Sequence, residues 1–190
     1  TIGSSKVIHA LNSTATINLG PLFKTKGISL SISGACASGS HAIGLAWMLI
    51  SLGLQDTILA GGSQELCWWS MAAFDSLRVF SLRTGDPAAA SRPFDRDRDG
   101  LIPSGGAAVL VLEEYAQAKA RGAPILAEIE GYAFSSDGWH MTAADGKGAE
   151  RCIRSALATA HLLPGDIDYI NAHATATPAG DAAEALAVAW

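Results

Sequence analysis

The stretch LSISGACASGSHAIGLAWML, residues 30–49, decides how the chain is read. Apolar and hydroxyl residues alternate from Ile28 to Ser33, the period of a half-buried strand. Small residues then permit a sharp turn into the apolar run from His41 to Leu52. The pattern predicts a strand over 28–33 and a helix over 37–52, with Cys36 at their junction. Unpaired backbone N–H groups and the helix dipole favour an anionic nucleophile at such a place, and the same N–H groups can receive an oxyanion. A buried structural role is the commoner one for a lone thiol. The small neighbours Gly34, Ala35, Ala37, Ser38, Gly39 and Ser40 favour the reactive role, because a substrate carbonyl can come close to the backbone there.

Outward from this stretch, strand and helix patterns alternate. Further strands are predicted near 57–60, 107–112, 127–133 and 169–172, and helices near 116–121, 148–160 and 178–188. Gly61-Gly62, Asp99-Gly100 and Pro164-Gly165 read as turns between them. Such alternation argues for an α/β layered fold. The order strand, Cys36, helix is echoed by strand, His173, helix. If two similar halves pack together, both residues reach the same end of a sheet.

The composition narrows the function classes. With 190 residues, 49% of them hydrophobic, 16% charged and 20 glycines, the chain suits closely packed helices and strands rather than disorder. A net charge of −5 gives no electrostatic footprint for nucleic acid or for an anionic membrane. An acidic protein partner would have to dock on a local basic patch. Cys36, Cys67 and Cys152 form no CxxC pair and have no histidines at zinc-ligand spacing, so neither a disulfide framework nor a structural metal is expected, and the setting reads as reducing and cytoplasmic. The apolar run 42–54 is too short to span a bilayer and is broken by Gly44 and Gly53, so it reads as a buried core helix. No signal peptide opens the chain, and Thr1 in place of methionine reads as a start inside a longer protein.

His173 lies in DYINAHATATPAGDAAEAL, residues 168–186, directly after a predicted strand and before Pro178, which suits the first turn of a helix. Thr175 and Thr177 alternate beyond it, so an extended loop would put both hydroxyls on one side as a wall for a polar, amide-bearing ligand arm. Helix capping before Pro178 is the other role open to these threonines. Asp181 and Glu184, three apart, share a helix face; carboxylates in a first turn complement the dipole, and a supporting role is expected of them. The run FDRDRDG, residues 94–100, begins like a calcium loop, but the twelfth place holds Gly106 where a bidentate glutamate is needed. Arg96 and Arg98 also neutralise it, so an ion-paired structural turn is expected. His41 falls five residues after Cys36, more than one turn along the helix, and reads as a core or supporting residue. His9, His140 and His161 show no partner pattern, and Trp68-Trp69 reads as packing or interface.

On these residues the chain resembles the β-ketoacyl-acyl-carrier-protein synthases of the thiolase-like fold. Four blocks carry the resemblance in order: SISGACASGSHAIG, AGGSQELCWWSMAAFDSL, SRPFDRDRDGLIPSGGAAVLVLEEYAQAKARGA and NAHATATPAGDAAEA. They cover nearly all of the chain from about Leu19, and the ELCW and SGGA segments are most similar to the type I elongating branch. The resemblance implies that Cys36 accepts the acyl group and that His173 is one of two histidines acting on the malonyl thioester. It implies that Thr175 and Thr177 contact the carrier's pantetheine arm, that Glu184 is a supporting carboxylate and that Phe74 lies near the acyl pocket. Residues 1–125 then form the later part of a first thiolase-like half, and 126–190 the start of a second.

The implied reaction is decarboxylative condensation of malonyl-acyl carrier protein in fatty acid or polyketide elongation. It uses no metal or organic cofactor, since the substrates ride on the carrier's phosphopantetheine. The partners implied are acyl carrier protein and a second copy in a homodimer, with no nucleic acid and no membrane span. Ala174 departs from the glycine usual after this histidine, and Leu101 from the phenylalanine that often gates the pocket. The second histidine, a lysine and the glycine-rich loop that completes the oxyanion hole are expected beyond Trp190. The whole protein is then roughly twice as long, and this stretch alone inactive. Three other readings stand beside this one: an α/β-type cysteine hydrolase or thioesterase with Cys36 and His173, a non-catalytic synthase partner, and a folding or dimerisation unit.

Overall fold

Small residues set the closest approaches in this chain. The computed structural model describes residues 5–140 and 146–189, and the two ends read above, Thr1 and Trp190, lie outside them. In chain order the elements are α1 (Thr14–Phe23), α2 (Ser38–Ser51), β1 (Thr57–Gln64), α3 (Trp68–Ser76), β2 (Gly106–Glu113), α4 (Tyr115–Ala120), α5 (Lys147–Ala160) and α6 (Pro178–Val188). Single 3₁₀ turns lie at Ser5–Ala10, Pro87–Ala89 and Pro164–Asp166. Contacts divide the chain into two units. One runs to Ser63 and resumes over Ala107–Glu128; the other holds Gln64–Gly106 and the segment from Ile129 onward.

In the first unit β1 and β2 pair with each other. The Glu114 amide donates to the Asp56 carbonyl at 2.9 Å, and Gly61 faces Ala108 and Val109, so the strands run antiparallel. A Cβ on Gly61 would overlap the Ala108 carbonyl oxygen and lie 2.8 Å from the Val109 Cα. A Cβ on Gly62 would lie 3.3 Å from the Gly39 Cα, so the first turn of α2 rests on β1 backbone to backbone. Gly44 and Ala46 are the buried positions of α2, while its large apolar residues are half-buried. In α4 the Glu114 carboxylate caps the helix, accepting from the amides of Ala116 and Gln117 at 3.1 and 2.8 Å.

In the second unit α5 packs on α6. The backbone before α5 comes so close that a Cβ on Gly146 would lie 2.9 Å from the Ala183 carbonyl of α6. Gly131 lies against α5 in the same way, where a Cβ would lie 2.8 Å from the Ala156 carbonyl oxygen. Phe80 and Leu101 form an isolated parallel bridge that closes the segment leading into the 92–100 turn.

The helices predicted over 37–52, 116–121, 148–160 and 178–188 are present within two residues at each end. The predicted strand at 57–60 is longer than expected, because Gly61-Gly62 continues it rather than ending it. Bare backbone there is what β2 and α2 require on the two sides, so the glycines answer to packing and not to a turn. The strands predicted over 28–33, 127–133 and 169–172 are irregular segments without a ladder partner among the described residues. A strand is stabilised by its neighbour, and these segments keep apolar side chains exposed, among them Tyr169 at 78% and Ile170 at 55%. The helices α1 and α3 escape the pattern: α1 carries Pro21 inside it, and neither buries a residue fully. The described residues contain no helix long and apolar enough to cross a membrane.

Gly61→Ala tests the backbone contact between the strands. The added methyl must displace main chain rather than a flexible side chain, so a loss of about 1 to 3 kcal/mol is expected in urea unfolding. A change within error of zero would show that β2 can yield.

Candidate active site

The turn that presents Cys36 is tied together by the residues around it. The Ala37 amide donates to the Gly34 carbonyl at 3.0 Å and the Ser38 amide to the Ala35 carbonyl at 3.1 Å, giving two overlapping turns. The Ser38 hydroxyl accepts from the Gly34 amide at 2.9 Å and donates to the Ala35 carbonyl at 2.7 Å. Ala35 adopts φ +50°, a left-handed conformation that costs an alanine about 1 to 2 kcal/mol. The outcome is a Cys36 side chain that is exposed and in no disulfide, just before the first turn of α2. The amides of Ala37 and Ser38 are engaged within the turn and do not point at an oxyanion. His41 supports the same turn: a Cβ on Gly34 would lie 2.5 Å from its Cδ2 and 2.9 Å from its Nε2.

His173 and its loop sit in the second unit, held by two carboxylates of α6. Glu184 accepts from the His173 amide through Oε1 at 2.6 Å and from the Ala174 amide through Oε2 at 2.8 Å. Asp181, 1% exposed, accepts from the Ala176 amide through Oδ1 at 3.0 Å and from the Phe94 amide through Oδ2 at 2.7 Å. These bonds hold Ala174 at φ +50° and Ala176 at φ +64°. The alternation of the threonines has the expected result, since their hydroxyl oxygens lie 2.9 Å apart on one side of the loop. Thr177 also caps α6, accepting from the Gly180 amide at 3.2 Å, and Pro178 occupies the first turn. The loop leaves the His173 side chain exposed.

The 92–99 run is the ion-paired turn that its charges predict. Arg92 lies 3.0 Å from Asp99 and 3.9 Å from Asp95, and its Nε donates to the Asp97 carbonyl at 2.8 Å. The Ser81 hydroxyl donates to Asp99 at 2.7 Å, and this bond is the main reason that the Asp99 carboxyl is held below its usual range; the Leu82 amide and Arg92 add to it. Among the described residues no group of three or more His, Cys, Asp or Glu could hold a metal. Arg98 differs from its neighbours because it leaves the turn and reaches α6, a link that no local pattern could reveal.

Phe74, on α3, is half-buried and packs against Phe80 at 6.5 Å between ring centroids. Trp68 and Trp69 stack on each other at 3.8 Å and remain exposed. Ser70, first through its amide and then through its hydroxyl, lowers the Cys67 thiol below its ordinary value.

The first unit thus presents an exposed cysteine in a tight turn before a helix, and the second a histidine loop braced by two carboxylates. Residues 3–118 match the family model described as "Beta-ketoacyl synthase, N-terminal domain", and residues 126–190 match "Beta-ketoacyl synthase, C-terminal domain". The chain belongs to the β-ketoacyl synthase family. It is 45% identical over 188 residues to the 3-oxoacyl-[acyl-carrier-protein] synthase 1 of Haemophilus influenzae, which covers 98% of this chain and 46% of that protein. It therefore spans about half the length of the curated relatives it matches. A crystal structure of a β-ketoacyl synthase from Burkholderia phymatum superposes with a TM-score of 0.91 at 47% identity, over 93% of this chain and 43% of the other. A ketosynthase bound to the hexaketide, in complex with its type II polyketide synthase acyl-carrier protein, gives a TM-score of 0.90 at 36% identity, over 97% and 46%. The fold is thus the thiolase-like α/β fold of the ketosynthases.

The Asp99 carboxylate predicts a pH dependence. A carboxyl held low in the folded state contributes stability that is complete above its ordinary value and disappears as pH falls through the folded value. Asp99→Asn is therefore expected to lower the urea midpoint near neutral pH, with the difference from wild type closing below about pH 4. A difference that stays constant down to pH 3 or so would remove the charge from the explanation.

Proposed function

We propose that the protein carrying this chain elongates acyl chains by decarboxylative condensation on acyl carrier protein. The observation that carries this reading is the Cys36 turn, whose hydrogen bonds and left-handed Ala35 hold an exposed thiol just before the first turn of α2. Cys36 attacks the thioester carbonyl of an acyl carrier, the pantetheine thiol leaves, and the acyl group stays on sulfur. Malonyl-carrier then loses carbon dioxide, and the electron pair released forms an enolate. His173 donates a hydrogen bond to the malonyl thioester oxygen, where this charge develops. The enolate carbon attacks the acyl-cysteine carbonyl, the new carbon–carbon bond forms and the Cys36 sulfur leaves as thiolate.

Thr175 and Thr177 offer their hydroxyls to the pantetheine arm, Glu184 holds the His173 backbone, and Phe74 borders the acyl pocket. In this reading residues 1–125 and 126–190 belong to two similar halves, the first carrying Cys36 and the second His173. Apart from the carrier's phosphopantetheine no cofactor takes part, and the protein works as a cytoplasmic homodimer. The relatives support both fatty acid and polyketide settings, and the higher identity to the 3-oxoacyl-carrier synthase favours the fatty acid one.

Acyl labelling of the full-length protein, read by mass spectrometry of the Cys36 peptide, is the test. Cys36→Ala should abolish covalent acylation; acyl transfer that survives it would end the nucleophile assignment. His173→Ala should leave acylation in place and slow malonyl decarboxylation on the order of 10²- to 10³-fold, as for the loss of an oxyanion donor. Release of acyl groups to water without carbon–carbon bond formation would point instead to the hydrolase reading.

A further inference from the structure

Arg98 lies outside every role given so far, and its contacts reach the loop on which the proposed function depends. Its Nε lies 3.4 Å from Asp181 Oδ2 and 3.4 Å from the Thr177 carbonyl, and its Nη2 donates to the Pro178 carbonyl at 2.7 Å. Its third nitrogen, Nη1, donates to the Asp95 carbonyl at 2.9 Å within its own turn. The side chain is 19% exposed and its carboxylate partner 1%. The same Asp181 carboxylate receives the Phe94 amide from one side and the Ala176 amide from the other. One guanidinium and one carboxylate therefore join three pieces of chain: the 94–98 turn, the 175–177 loop and the first turn of α6. A planar, always-charged fork suits this task, because it meets several acceptors in fixed directions at once.

The anchored atoms flank the threonines. Arg98 holds the carbonyl of Thr177, Asp181 holds the amide of Ala176 between the two threonines, and the hydroxyls of Thr175 and Thr177 touch at 2.9 Å. The close fit continues at Gly180, where a Cβ would collide with the Thr177 hydroxyl and lie 3.1 Å from that of Thr175. Backbone placement thus decides where the hydroxyl pair points. We propose that Arg98 is a positioning residue for this pair and, resting on the function proposed above, that it sets the affinity of the site for the carrier's pantetheine arm.

The neighbouring Arg96 supplies a control within the same turn, since its side chain is 92% exposed and its ion pair, with Asp97 at 3.5 Å, stays inside the turn. In the full-length protein, Arg98→Met is expected to raise the KM for malonyl-carrier on the order of tenfold while kcat changes by less than about threefold. Arg98→Lys should fall between, because an ammonium reaches fewer of the acceptors. Alkylation of Cys36 by iodoacetamide, which has no arm, should proceed at the wild-type rate in Arg98→Met, Arg98→Lys and the control Arg96→Ala alike. A KM in Arg98→Met no higher than in Arg96→Ala overturns the inference. So does a parallel fall in alkylation, kcat and KM-limited rate, which would make Arg98 a general structural support.

If the wild-type protein condenses nothing, the proposed function fails on its own account. The positioning role is then read from amide hydrogen exchange: Arg98→Met must speed exchange at Ala174, Ala176 and Thr177 relative to Arg96→Ala, and equal rates sink it.

Discussion

The Asp181 carboxylate is the interaction on which the second unit turns. It is almost wholly buried, and each of its oxygens accepts a main-chain amide from a different segment, while Arg98 approaches from the turn between them. A buried charge is tolerated only when such bonds replace its water, and removing one partner of such a pair costs about 3 to 5 kcal/mol because the other is left uncompensated. Glu184 repeats the device one turn along α6, here with its two oxygens on consecutive amides of the loop. The loop bearing His173 has no regular structure of its own to satisfy its N–H groups, so α6 provides the acceptors.

The two loops share a form of strain. Ala35 precedes Cys36, and Ala174 and Ala176 follow His173, all with positive φ. Alanine pays for that conformation with a clash that glycine would not have, and so it persists only where the surroundings impose it. Around Ala35 they are the two turn bonds and the Ser38 hydroxyl; around Ala174 and Ala176 they are the carboxylates of α6. Ala174, where the resemblance would place a glycine, is thus held in the left-handed conformation by its surroundings, and an alanine there leaves the loop fewer alternative conformations when it is not held.

What was legible in the sequence follows from the range of each interaction. The helices over 38–51, 115–120, 147–160 and 178–188 are local objects, and their apolar spacing, caps and Pro178 mark them without help from elsewhere. So is the side-by-side placement of Thr175 and Thr177, which follows from alternation alone. The segments at 28–33, 127–133 and 169–172 have the composition of strands, but composition cannot provide the neighbour that makes a strand. Gly61-Gly62 misleads for a related reason: glycine serves turns and close approaches alike, and only the presence of Ala108 and Gly39 decides between them. The ionic character of residues 92–99 was readable from alternating Asp and Arg. The reach of Arg98 to a helix some 80 positions away was not, since nothing nearby in the chain distinguishes it from Arg96.

The imidazole of His41 has a consequence of another kind. It lies where a side chain on Gly34 would be, so the two positions divide a single volume between them. Any larger residue at 34 evicts the ring, and any smaller one at 41 leaves a void under the turn that displays Cys36. For a lineage drifting by single substitutions, both exits are therefore uphill, and the pair is free to change only in concert. Gly34, two residues before Cys36, is thereby tied to a residue seven places along, and that tie narrows the paths by which this corner of the molecule can evolve.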